Sequence, residues 1–193
     1  FEVKSNVLYK NYKVNKHMTS LTNDIVWNSS SYISQKGFVN NVEGMVQNVN
    51  YEAKNTPDYK TEGTINELRS VLSFKSSLPM KKESKKYSNI FSPNFMLRFA
   101  PGHMKNLSGD DTKLRYSNLF STNKTSEIEK GLSTILGFDY KINTKNREDG
   151  NQEKLSISMG QVFNLEKNKD IPSKSSLDQK MSDLVGEINY NFS

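Results

Sequence analysis

The chain has 193 residues, 34% of them hydrophobic, a formal net charge of +6 and no cysteine. A mean hydropathy of -0.75 leaves little for a compact soluble core of this size. The longest apolar runs, such as Phe95-Met96-Leu97, fall far short of the roughly 20 residues a transmembrane helix needs. Without cysteine there is no disulfide, thiolate chemistry or Cys-based metal site. The lysines are scattered rather than grouped in a stripe, so the positive balance is read as solvated loops before it is read as a nucleic-acid footprint.

Taken in chain order, the first expected strand spans 1–14, where Phe1, Val3, Val7 and Tyr9 share a face. A weaker segment around Ile25-Val26-Trp27 runs on to Tyr32-Ile33. In 45–53, Met45, Val49, Tyr51 and Ala53 alternate with Val46, Asn48, Asn50 and Glu52. The next is one of four strong alternations: Leu68, Leu72, Phe74 and Leu78 stand against Arg69, Val71, Ser73 and Lys75. A strand at 94–100 follows, and a short one is expected at 114–120. The second strong alternation puts Leu132, Leu136, Phe138 and Tyr140 opposite Ser133, Asp139 and Lys141. The third puts Leu155, Ile157, Met159 and Phe163 opposite Ser156, Ser158 and Asn164. The fourth puts Ile188, Tyr190 and Phe192 opposite Glu187, Asn189 and Asn191.

Successive strand side chains point to opposite faces, so a two-residue period sorts each segment into an apolar row and a polar row. The expected fold is therefore all-β, an antiparallel meander of about eight or nine long strands. Leu177, Met181, Leu184 and Val185 also fall at helical spacing, a competing pattern that Gly186 would end. Asn146 to Asn151 contains Asp149-Gly150, a reversal signal that makes a hairpin of its flanking strands. Lys81 to Lys86, Gly102 to Lys113 and Lys167 to Ser176 are expected to be longer loops, and Pro79 and Pro101 to end strands.

Alternation over ten or more residues exceeds the ~5–6 residues of strands in a soluble β-sandwich, which is the competing architecture. It matches a transmembrane β-barrel, in which lipid-facing and lumen-facing residues alternate. On this reading Leu132, Leu136, Phe138, Tyr140, Leu155, Ile157, Met159, Phe163, Ile188, Tyr190 and Phe192 face lipid. Ser133, Asp139, Lys141, Ser156, Ser158, Asn164, Glu187, Asn189 and Asn191 face the lumen. Arg69, Lys75 and Arg98 also fall on the polar register, sparing the roughly 2–4 kcal/mol that a Lys or Arg costs at the lipid midplane. Ten Phe, nine Tyr and one Trp suffice for interfacial girdles, with Trp27 an anchor or a core residue. An open edge in hydrocarbon is costly, and the alternation runs from Phe1-Val3 to Ser193. Residues 1–193 are thus expected to be one partial barrel domain, truncated within the barrel at both ends.

Catalytic signatures are weak. His17 and His103 are isolated, and no Gly-x-Ser-x-Gly, P-loop or His-Glu-x-x-His pattern occurs. Asp110-Asp111 and Glu127/Glu129 lack the spaced ligands and glycine of a calcium loop and are read as solvated acids. The lysines in 81–86 have no interleaved aromatic platform for bases. No enzyme activity, cofactor, metal or nucleic-acid partner is expected; the alternatives to a transport barrel are a soluble β-sandwich adhesion or binding module, and a general porin or a barrel enzyme such as a lipase, the last disfavoured by the missing Ser-His context.

Several longer stretches carry a resemblance. Asn118-Leu119-Phe120, Glu129 to Ser133, Gly137 to Tyr140 and Ile157 to Phe163 are similar to the C-terminal barrel of the LptD family of lipopolysaccharide-assembly proteins. So are Ser77-Leu78-Pro79, Pro93 to Gly102 and Ser182 to Glu187. The wording is closest to alphaproteobacterial members, and the similarity runs from about Trp27 to the end. It implies a piece of an integral outer-membrane barrel that inserts lipopolysaccharide into the outer leaflet. It also implies a plugging LptE-like lipoprotein, a periplasmic lipopolysaccharide bridge and a lateral opening between the first and last strands. The preceding periplasmic domain and the gate strands are not identifiable, and the cysteines that some members use to tie the domains together are missing.

Overall fold

The computed structural model describes residues 1–12, 16–55, 64–102, 104, 106–146 and 150–192. Among them, ten strands form one antiparallel sheet. They are β1 (Glu2–Tyr12), β2 (Lys16–Asn28), β3 (Tyr32–Ile33), β4 (Val39–Lys54), β5 (Thr64–Ser77), β6 (Met80–Glu83), β7 (Tyr87–Ala100), β8 (Gly131–Asn146), β9 (Gly150–Asn164) and β10 (Val185–Tyr190). The main path is β1-β2-β4-β5-β7-β8-β9-β10, with β3 and β6 as short additions against β4 and β7. The sheet is open, with β1 and β10 at its edges.

The ladder is strongly staggered. One row across it reads Trp27, Gly44, Leu72, Phe99, Leu132. Trp27 is near the end of β2 and Leu132 near the start of β8, and these two strands run in the same direction. Nearly all of β2 therefore lies on one side of the row and nearly all of β8 on the other. A strand set offset in this way is tilted relative to any band drawn across it.

The registers place the apolar rows of all four strong alternations on one face. Phe95 meets Leu136, which meets Gln161, and Phe91 meets Tyr140, which meets Ile157 and then Ile188. Of β1, Val3 and Val7 lie on this face beside Ile25 and Leu21 of β2. In β4 the pattern is inverted. Met45, Val49, Tyr51 and Ala53 pair with Val26, Thr22, Ser20 and Met18 on the opposite face, leaving Asn48 and Asn50 on the apolar side. There Asn50 donates to Asn48 Oδ1 at 2.5 Å and Asn48 to Asn66 Oδ1 at 2.9 Å, so amides satisfy one another where no side chain covers them.

The buried core lies on the polar face. Segments 101–130 and 165–184, both at the same end of the sheet, fold back over β7, β8 and β9. Met96, Ile135 and Val162 from the strands are buried against Leu114, Leu119, Ile171 and Leu177 from these segments. A smaller cluster joins Val71, Ala100 and Ile128. Gly137 and Gly160 sit opposite each other in the ladder and make a flat spot for the covering segment. A Cβ at Gly160 would meet Leu119 Cδ2 and Leu136 O, and one at Gly137 would lie 2.6 Å from Met159 O.

Three expectations are corrected, and one competing pattern is decided. Residues 114–120 do not form a strand: Tyr116–Leu119 is a one-turn helix, α1. Asn118 Oδ1 accepts the Arg115 amide at 2.8 Å and its Nδ2 donates to Lys113 O at 3.1 Å, which folds the turn locally. The helical spacing over 177–185 yields no helix. Leu177 is buried against the strands, Met181 is exposed and bridges Phe163 as a ladder residue, and the helical turn is a 3-10 turn at Lys174–Ser176. Lys81 to Lys86 is not wholly loop, because Met80–Glu83 pairs with β7. The single weak segment across Ile25 to Ile33 is two strands, with Ser29 capping the turn through Val42. Asp149-Gly150 as a turn, His103 as a loop residue and the 13–14 end of the first expected strand lie outside the described residues, although Asn146 pairs with Gly150 in the antiparallel ladder.

Candidate functional site

The two faces of the sheet are the chemically distinctive feature. On the apolar face, Leu136, Ile188, Tyr190, Leu97, Phe99, Leu72 and Leu68 are exposed, and Leu132, Phe138, Tyr140, Leu155, Ile157, Met159 and Phe163 are half-buried by their neighbours in the sheet. Two ring contacts there join adjacent strands, Phe91 to Phe138 at 5.6 Å between centroids and Phe74 to Phe95 at 6.4 Å, and Tyr190 meets Phe192 of its own segment at 4.6 Å. The described positions of β5, β7, β8 and β10 on this face, and those of β9 from Leu155 onward, carry no Asp, Glu, Lys or Arg. Trp27 lies on it, exposed, in the row of Phe99 and Leu132.

The opposite face holds the charges, mostly in pairs. Arg69 is buried between Glu67 at 2.7 Å and Glu127 at 2.8 Å, the latter reaching down from the covering segment. Lys75 binds Glu43 at 2.6 Å and Lys141 binds Glu153 at 2.9 Å. Asp139 accepts from Asn94 and from Ser158, each at 2.6 Å. Beside them the Tyr116 hydroxyl donates to Phe138 O at 3.4 Å. Burial, with Asp139 next to it, holds that phenol well above its ordinary range, so it stays a donor.

The residues expected to line a lumen all lie on this face but in two zones. Under the covering segments, Ser133, Ser156 and Ser158 are buried. Asn164 there donates to Leu177 O at 3.0 Å and Gln179 O at 2.7 Å, which ties segment 165–184 to the sheet. Farther along the strands the face is open: Lys141 is half-buried, and Glu187, Asn189 and Asn191 are exposed. Asn189 donates to Glu187 at 2.9 Å, and Asn191 to Glu153 O at 2.8 Å.

The acids weighed as possible metal ligands are engaged separately. Asp110 accepts from Thr112 and Ser126, and these bonds hold its carboxyl below the usual range. Asp111 pairs with Lys174. Glu129 accepts the amides of Lys124 and Thr125. Among the described residues no three metal-ligating side chains of the His, Asp and Glu types converge. Sequence reasoning missed the burial of Arg98, Lys124 and Glu129. Arg98 was legible as a polar-register residue, whereas Lys124 lies in a segment with no periodicity.

A sheet with one bare apolar face and one charged face fits a known family. The family model for LptD, LPS transport system D, matches residues 19–193. The chain belongs to the LptD family. No curated protein was found to match it. LptD proteins are outer-membrane proteins of lipopolysaccharide transport and assembly rather than enzymes, and the all-β sheet of this LptD-family chain accords with a β-barrel class.

Proposed function

We propose that this chain is part of a closed transmembrane β-barrel of the outer membrane, through which lipopolysaccharide reaches the outer leaflet. The observation that carries the reading is the bare apolar face, free of formal charge over five consecutive strands of the main path, in β9 from Leu155 onward. In water such a surface would be an association liability; in hydrocarbon it needs no cover. The stagger supports it as well, because closure requires tilted strands with a fixed offset. Both edges, β1 and β10, need partners in lipid, so further strands of a longer protein are part of the proposal.

Leu132, Leu136, Phe138, Tyr140, Leu155, Ile157, Met159, Phe163, Ile188, Tyr190 and Phe192 are assigned to lipid, and Trp27 to an interfacial position. Ser133, Asp139, Lys141, Ser156, Ser158, Asn164, Glu187, Asn189 and Asn191 are assigned to a lumen. In that lumen, Glu187, Asn189, Asn191 and Lys141 offer a hydrated wall to sugar and phosphate. Long connections crowd one end of outer-membrane barrels on the external side, so segments 101–130 and 165–184 are assigned to the extracellular mouth. An LptE-like lipoprotein plug and periplasmic bridge proteins are the proposed partners. Expression of the full-length protein tests this. A membrane barrel partitions into detergent and migrates differently on gels before and after heating, whereas a sandwich module soluble without detergent would reject the reading.

A further inference from the structure

Where segments 101–130 and 165–184 meet the ends of β7, β8 and β9, they enclose a cavity of about 500 Å³. Two basic side chains line it from buried positions: Arg98, 2% exposed, and Lys124, 5% exposed. Arg98 is held by Thr122 O through Nε and by Asn123 Oδ1 through Nη2 at 3.4 Å, which fixes the plane of its guanidinium. Lys124 Nζ has three donors to place and finds no hydrogen-bond partner among the described residues.

The nearby charges do not remove this deficit. Glu129 spends Oε1 on the backbone amides of Lys124 and Thr125, at 2.8 and 2.7 Å. Lys75 is committed to Glu43. The exposed rim carries Lys130, Lys167 and Glu166, and Asp170 lines the cavity half-buried. Burial, with Arg98 and Lys75 acting the same way and Glu129 opposing, brings the Lys124 amine down to about 8. A buried ammonium without a hydrogen-bond partner is unfavourable, and an oxyanion in the cavity would complete it.

We propose that this cavity binds a phosphate group between the Lys124 ammonium and the Arg98 guanidinium. A planar guanidinium fork beside a point-charge ammonium suits a tetrahedral oxyanion with several acceptors. Ser133 adds a hydroxyl to the lining, while Asn164 and Asn168, engaged with Leu177 O, Gln179 O, Met104 Sδ and the Asp170 amide, hold the wall in place. The phosphate is either that of a glycolipid headgroup or the free ion; the first source rests on the transport reading above, the second does not.

Calorimetry on the full-length protein in detergent at pH 7 tests the site with inorganic phosphate, glucosamine 1-phosphate and glucosamine. Both phosphates are expected to bind and glucosamine not to. Lys124→Met should weaken phosphate binding about tenfold or more, the loss of one charge-assisted contact, while Lys130→Met at the rim changes it less than about threefold. Lys124→Gln serves the same purpose should the methionine variant not assemble. Tighter binding of the sugar phosphate assigns the headgroup source, and equal binding assigns the free ion. Absence of phosphate binding by the wild type, or unchanged binding in both Lys124 variants, would overturn the proposal. Heat-modifiable migration, read on the same samples, reports separately on the barrel.

Discussion

Ile135 and Leu136 are neighbours in β8, nearly identical in chemistry, and opposite in fate: Ile135 is 0% exposed and Leu136 is 47% exposed. Ile135 lies on the charged face, beneath the covering segments and in contact with the buried cluster around Met96 and Leu119. Leu136 lies on the apolar face between Phe95 and Gln161 with nothing across it but its row. The core of this molecule is thus on its more polar side. Hydrophobicity alone does not locate burial; what is near enough to cover a residue does, and for the Leu136 face the covering phase must come from outside the described residues.

The largest effect expected from breaking this contrast is at Ile135. Ile135→Ala removes buried methyl groups from a packed cluster and should cost about 2–5 kcal/mol, read as a lower denaturant midpoint of the refolded full-length protein. Leu136→Arg comes next. In a bilayer it should cost roughly 2–4 kcal/mol, whereas on a water-exposed face it would change stability by about 0.5 kcal/mol or less.

Lys124 sharpens the contrast from within the covered zone. Its folded-state value of about 8 lies below the ordinary lysine value of 10.5, so between those pH values the unfolded chain binds more protons and stability rises with pH. Below pH 8 the penalty is fully present. Lys124→Met should therefore exceed the wild type by on the order of 3 kcal/mol at pH 7 in phosphate-free buffer. That advantage should shrink through pH 8 to 10.5, as parallel denaturant titrations would record. The smallest effect belongs to the open part of the charged face. Lys141→Ala breaks a half-exposed pair with Glu153 and should cost about 1 kcal/mol or less, measured in the same way.

Much of the fold was legible because the strands obey a single period. β5, β8, β9 and β10 were read within a few residues, and the charge-free apolar rows with them. The misses share a physical cause. In β4, apolar residues at 45, 49, 51 and 53 face the covered side beside Met18, so alternation was visible but its direction was not; register with the neighbouring strand decides it. The first half of β7 was missed because Ser88, Asn89, Ser92 and Pro93 dilute the pattern, although pairing to β8 continues as far as Tyr87 and Thr144. Residues 114–120 alternate weakly enough to suggest a strand, but Asn118 closes a turn with Arg115 and Lys113, a local hydrogen-bonding choice that periodicity does not encode. The covering role of 101–130 and 165–184 depends on contacts distant in sequence, such as Glu127 with Arg69, and had no signal in the chain.

The direction of the two faces is open to one direct measurement. Spin labels placed singly at Leu136 and Ile188, and at Lys141 and Asn189, in the full-length protein reconstituted into vesicles are relaxed differently by oxygen, which concentrates in lipid, and by a water-soluble nickel chelate. The account predicts relaxation by oxygen for the first pair and by the chelate for the second. Chelate access at Leu136 and Ile188, with oxygen access at Lys141 and Asn189, would contradict it.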